Sequence, residues 1–143
     1  MKNKLNCVLL VDDNESDNYF HKIVIEQAGI TDFIGIALNG LEAINFLKTQ
    51  FQMGQQERSF PRPALIFLDI NMPLMDGWEF LEEYQKLDDV HKGKVVIMML
   101  SASLNQADIN RTEKTLGSDC FLYKPLTLKM LGEIMQKHFP EYL

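Results

Sequence analysis

The sequence has few cysteines, no long apolar run and no excess of positive charge. Its two cysteines, Cys7 and Cys120, are too few for a disulfide framework and lack metal-ligand spacing, so two buried thiols are expected. No apolar stretch approaches the roughly 18 residues of a membrane span. Met1-Lys2-Asn3-Lys4 leads into a short strand-like segment, not a signal-peptide apolar region. The expected location is therefore the cytoplasm, without membrane insertion. Fourteen Lys and Arg stand against twenty Asp and Glu, a net charge of −6. That balance argues against direct nucleic-acid binding, which wants a basic face. Internal repeats, long low-complexity stretches and an evident interdomain linker are also missing.

What is present is an ordinary globular composition, 46% apolar and 24% charged, on 143 residues. This predicts one domain, 1–143, with a packed core. Short apolar runs at 6–11, 33–38, 64–69, 94–100 and 120–123 alternate with stretches of helical periodicity. Five strands and five helices result. The predicted apolar stripes are Phe20, Ile23, Val24 and Ala28; Leu41, Ile44, Leu47 and Phe51; Phe80, Leu81, Tyr84 and Leu87; and Leu128, Leu131, Ile134, Met135 and His138. The fourth helix, about 105–116, has mainly Ile109 and Leu116 to bury and is expected to be loosely held. Asn39 with Glu42 and Asp76 with Glu79 approach the capping-box pattern, and Asn105 and Thr127 suit helix starts. No turn pair such as Asn-Gly joins two strands, so parallel strands with right-handed crossovers are expected. Near-continuous apolar runs such as Val95–Leu100 fit strands covered on both faces, giving a three-layer α/β sandwich. The polar 52–63 segment is long for such a connection. It is expected as an extension of the second helix plus a solvated loop, with a partner-docking loop as the sharper alternative.

Open parallel sheets place their working site beyond the carboxyl ends of the strands. There the sequence puts Asp12-Asp13, Asp69, Ser101 and Lys124-Pro125. Each alone has a dull explanation as a cap, a turn residue or a surface lysine. Together they imply three carboxylates that repel unless a cation or the lysine compensates. Mg²⁺ suits such a site, because it takes oxygen ligands and leaves positions for water or phosphate. Asp13 and Asp69 are the predicted direct ligands, with Asp12 acting through water. The chemistry read from this set is phosphoryl transfer, with Asp69 as nucleophile, Lys124 offsetting charge and Ser101 donating to the acyl phosphate.

Asp12-Asp13, the run Leu68-Asp69-Ile70-Asn71-Met72-Pro73-Leu74-Met75-Asp76-Gly77, Leu100-Ser101-Ala102 and Tyr123-Lys124-Pro125 closely resemble the receiver domain of two-component response regulators. Their order and spacing cover almost the whole chain, in the manner of a stand-alone, chemotaxis-regulator-like protein. The resemblance implies a flavodoxin-like, doubly wound sheet of order 2-1-3-4-5. It implies Asp69 as phospho-acceptor and Mg²⁺ on Asp13, Asp69 and the backbone carbonyl of Asn71, with Asp12 in support. It further implies that Lys124 contacts the phosphoryl group, that Ser101 follows on activation, and that Phe121 is the aromatic switch residue. Asn71 and Ser103 match the two variable positions that influence hydrolysis, and Lys124-Pro125 would be a cis peptide. In that strand order β1 and β5 lie roughly 14 Å apart, beyond the roughly 7 Å reach of a disulfide between Cys7 and Cys120.

The expected function is a phosphorylation-dependent switch in a phosphorelay, not an enzyme acting on an external substrate. The phosphoryl donor would be a sensor histidine kinase or a histidine phosphotransfer protein, and the output a phosphorylation-dependent contact with a downstream protein. With only Pro140-Glu141-Tyr142-Leu143 after the fifth helix, no output domain is expected. Self-association through the fourth helix or the 52–63 loop is compatible with the sequence. His21, His91 and His138 lie outside the strand-end cluster and are expected to be neither catalytic nor metal ligands. Trp78, beside Asp76-Gly77, is expected as a packing residue close enough to report on the site. The alternatives are a phosphate-independent adaptor and a Mg²⁺-dependent aspartyl phosphatase; the latter wants a second Asp where Asn71 stands. A flavodoxin is disfavoured because Asp12-Asp13-Asn14-Glu15 would repel a phosphate and no Gly-rich loop replaces it.

Overall fold

A computed structural model of the chain describes residues 4–54, 62–87 and 95–142, with the backbone alone at 50–54. Five strands, β1 (Val8–Val11), β2 (Ile34–Ala37), β3 (Leu65–Leu68), β4 (Val96–Ser101) and β5 (Phe121–Tyr123), alternate with five helices. These are α1 (Glu15–Ala28), α2 (Gly40–Gly54), α3 (Gly77–Lys86), α4 (Gln106–Thr115) and α5 (Leu128–His138), followed by a 3-10 turn at Pro140–Tyr142. All strand pairs are parallel and the sheet order is β2-β1-β3-β4-β5.

Side chains alternate across a strand, and the sheet sorts its apolar residues accordingly. Val8, Leu10, Phe67, Met98 and Leu100 face Val24 and Ile25 of α1 and Leu131, Ile134 and Met135 of α5. Leu9, Val11, Ile66, Leu68 and Met99 face Ile44 and Leu47 of α2 and Phe80, Leu81 and Tyr84 of α3. Every residue of β1 and β3 is buried, which is why those strands read as unbroken apolar runs.

The helix starts are built largely as the sequence predicts. Asp76 and Glu79 form a reciprocal capping box on α3. At α2 the Asn39 side chain accepts from the Glu42 N–H, but the Glu42 carboxylate reaches one residue further back, to the Leu38 N–H. Asn105 caps α4 and Thr127 caps α5. Helix α1 ends at Gly29, whose φ of 66° is the left-handed turn that a glycine takes at little cost.

Several predicted stripes are rotated. Phe20, Leu41 and Leu128 are 48%, 44% and 52% exposed. The buried face of α1 is instead Asn18, His21, Val24 and Ile25. Asn18 is drawn inward because its Nδ2 donates to the Asp12 carbonyl at 2.8 Å, and that rotation turns Phe20 out. Helix α2 takes in Gln52, Met53 and Gly54, the start of the expected 52–63 loop. Residues 55–61, His91 and the side chain of Phe51 lie outside the described residues.

Candidate functional site

Strand register sets the site. Val11 pairs with Leu68, so the next residues, Asp12 and Asp69, emerge side by side at the carboxyl edge. Their backbones are tied to the sheet: the Asp12 N–H donates to the Ala37 carbonyl at 3.0 Å and the Asp69 N–H to the Val11 carbonyl at 2.9 Å. Ser101 pairs with Tyr123, and the Lys124 N–H donates to the Ser101 carbonyl at 2.8 Å. The peptide bond between Lys124 and Pro125 is cis.

Asp12 is buried and uses both carboxylate oxygens. Its Oδ1 accepts from the Asn14 N–H at 2.9 Å and its Oδ2 from Lys124 Nζ at 2.6 Å. Asp13 next to it is exposed. Oxygens of Asp12, Asp13 and Asp69 all lie within 4.8 Å of one another. Asp69 Oδ1 accepts from the Ile70 N–H at 2.9 Å, while its Oδ2 stands 3.8 Å from Lys124 Nζ. Burial and then the charge of Asp12 push the Asp69 carboxyl up to about 7, although Lys124 and the Ile70 N–H pull the other way. Burial opposes the charge on Lys124, but its hydrogen bonds to Asp12 and Asp17 and the charge of Asp69 outweigh that, so its proton is held more tightly than usual.

One ammonium therefore leaves a three-carboxylate site short of positive charge. The all-oxygen donor set and the raised Asp69 carboxyl fit a hard divalent cation.

The rest of the predicted set lies on β4, β5 and the loops that follow β3 and β4, with Phe121 paired to Met99 at the start of β5. Ser101 is buried; its hydroxyl accepts from the Ser103 N–H at 3.1 Å and lies 3.2 Å from the Ser103 carbonyl, to which it donates. Asn71 and Ser103 are exposed and Phe121 is partly buried. Gly77 closes the floor: its N–H donates to the Ile70 carbonyl at 2.8 Å, and a Cβ there would stand 2.5 Å from the Asp69 carbonyl oxygen. Trp78 follows, buried, with the Arg111 guanidinium of α4 4.3 Å from its ring centroid.

Two residues here, Asn14 and Asp17, have no role assigned from the sequence, and His21, expected to lie outside the site, is buried beside them. Asn14 caps α1 by accepting from the Asp17 N–H at 2.9 Å. The Asp17 carboxylate takes a hydrogen bond from Lys124 Nζ at 2.9 Å. His21 is buried on the same helix, where burial and then the Lys124 charge weaken its hold on a proton. His138 is elsewhere, 3.3 Å from Asp119. Cys7 and Cys120 are free, buried thiols, as expected, and burial pushes Cys7 up to about 12. Among the described residues no helix is long and apolar enough to cross a membrane.

Residues 8–136 match the response regulator receiver domain family. The chain belongs to this family. The receiver is 35% identical over 134 residues to response regulator Rcp1 of Synechocystis sp., covering 94% of this chain and 86% of that protein. Among solved structures, a two-component response regulator from Cytophaga hutchinsonii superposes with a TM-score of 0.80 at 30% identity, covering 94% of this chain and 96% of that one. The Mn²⁺-bound form of Rcp1 superposes with a TM-score of 0.65, also at 30% identity, covering 92% and 93% of the two chains. The flavodoxin-like order expected for a receiver is the order of this sheet.

Proposed function

We propose that this receiver is a phosphorylation-dependent switch whose phospho-acceptor is Asp69. The observation that carries the reading is the cluster of Asp12, Asp13 and Asp69 facing Lys124 at the carboxyl edge of the sheet. Asp13, Asp69 and the Asn71 carbonyl would hold Mg²⁺, with Asp12 in support through water. When bound, the cation would offset negative charge on the incoming phosphoryl group and on the carboxylates. The Mn²⁺ in the Rcp1 structure is in keeping with this assignment.

Asp69 Oδ1 is occupied by the Ile70 N–H, so Oδ2 is the oxygen free to attack. A bond forms from Oδ2 to phosphorus as the phosphorus–nitrogen bond of a phosphohistidine breaks, and the donor imidazole leaves with that electron pair. The donor is a histidine kinase or phosphotransfer protein. The phosphoryl group adds roughly 1.5 to 2 negative charges and three acceptor oxygens. Lys124 Nζ, already 3.8 Å from Oδ2, moves to meet them. Ser101 must give up the Ser103 carbonyl before its hydroxyl can donate to the same group. That rearrangement pulls the β4–α4 loop inward and lets Phe121 turn, reshaping the α4–β5–α5 face for a downstream protein or a second copy. Asn71 and Ser103, both exposed beside the site, tune the access of hydrolytic water. On this reading the chain catalyses only its own phosphorylation and dephosphorylation.

The test is a titration with Mg²⁺ and then beryllofluoride, an acyl-phosphate mimic, followed by Trp78 fluorescence and fluorine NMR. A Mg²⁺-dependent response lost in Asp69→Asn is expected. Absence of bound beryllofluoride in the unaltered protein would overturn the switch and favour a phosphate-independent adaptor.

A further inference from the structure

We infer that Asp17 is a positioning residue that parks Lys124 away from Asp69 in the resting protein; this inference rests on the switch function proposed above. An acidic residue in the first turn of a helix ordinarily needs no explanation beyond the helix dipole. Here its side chain does something more specific. The backbone of Asp17 is fixed by the Asn14 cap, and its Oδ2 reaches the ammonium of a lysine 107 positions later in the chain.

Lys124 has three N–H donors to share. Two go to the α1 side, to Asp12 Oδ2 at 2.6 Å and Asp17 Oδ2 at 2.9 Å. Asp69 Oδ2, at 3.8 Å, is beyond hydrogen-bond distance. The two partners differ in what release would cost them. The Asp12 side chain is 6% exposed, whereas that of Asp17 is 37% exposed and can be rehydrated when the lysine leaves. Asp12 also belongs to the candidate cation cluster, whereas Asp17 lies outside it. Asp17 is thus the releasable anchor, and its pull sets how readily Lys124 swings to a phosphoryl group on Asp69.

At saturating Mg²⁺, Asp17→Asn is expected to tighten beryllofluoride binding about two- to fivefold, in the range of a partly exposed ion pair. Asp17→Glu, which keeps the charge, is expected to restore most of the original affinity. The gain must act through the lysine, so it should vanish when Asp17→Asn is combined with Lys124→Met. The ¹⁵N shift of Lys124 Nζ in the Mg²⁺-free protein supplies a second readout, expected to change in Asp17→Asn. Unchanged affinity in Asp17→Asn, the same gain in the Lys124→Met background, or an unmoved Nζ resonance would each overturn the parking role. Failure of the unaltered protein to bind beryllofluoride would instead overturn the switch reading, and the Nζ shift would still decide whether Asp17 places the ammonium.

Discussion

The two halves of the site are held in different ways. On the α1 side, Asp12 has hydrogen bonds to both oxygens, Asn18 reaches its carbonyl, and Lys124 is pinned between two carboxylates. On the α4 side, Ser101 is satisfied within its own loop, and α4 presents one fully buried residue, Thr112, to the molecule. A specific tie to the neighbouring α3 is the Arg111 guanidinium on Trp78. A site with one stiff wall and one soft wall can keep its charges in place while something beside them moves. That division suits a switch better than uniform rigidity would.

The largest way to break this contrast is to disturb the floor both halves share. Gly77→Ala would drive a Cβ into the Asp69 carbonyl oxygen, a backbone atom that cannot swing aside. It is expected to lower stability by about 3 kcal/mol, read by denaturant unfolding, and to weaken Mg²⁺ binding in a calorimetric titration.

Next in size is the charge deficit at Asp69. Its carboxyl is raised from 3.8 to about 7, so ionising it costs the folded chain more than the unfolded one. The cost is absent below about pH 4, grows through the interval, and is complete above about pH 7. Asp69→Asn removes it, so in Mg²⁺-free solution the variant should be more stable by about 2 kcal/mol at about pH 8, and by little at about pH 4. Added Mg²⁺ should reverse the order by stabilising only the unaltered protein. Thermal melts across pH would check both; an equal gain at both ends of the range would show that the stiff wall is not short of positive charge.

Helix caps sharpen the comparison. Asn14→Ala should cost about 1–2 kcal/mol globally, because α1 carries the stiff wall, whereas Asn105→Ala should cost about 0.5 kcal/mol and show mainly as faster amide exchange in the first turn of α4. The smallest expected effect is Arg111→Ala, below about 1 kcal/mol, with a change in Trp78 emission. A cost as large as that of Asn14→Ala would mean that α4 is held as firmly as α1.

Much of this was readable in the sequence because it rests on local signals. Five apolar runs became five strands, and the charged residues that end them became the rim of the site. Caps at Asp76, Asn105 and Thr127 needed only neighbouring residues. What escaped depends on contacts distant in sequence. Asp17 looks like any acidic residue in a first turn until Lys124 is folded against it. The α1 stripe was misjudged because apolar periodicity ignores a polar residue such as Asn18, which is buried to bond a strand end. Asn14, masked by the two aspartates before it, is the actual cap of α1.

The alignment of β1 with β3 has a consequence for how the protein comes into being. Asp12 and Asp69 are neighbours only because Val11 lies opposite Leu68, and Lys124 joins them only once β5 has docked on β4 at the other end of the chain. A nascent chain still lacking its last strand carries the two aspartates without the lysine. A strand shifted by one residue would point its side chains to the wrong face and carry its carboxylate out of line. The acidic cluster is therefore a record of strand alignment: cation binding measured during synthesis or refolding would register the pairing of β1 with β3, and the pinning of the Lys124 ammonium the arrival of the outermost strand.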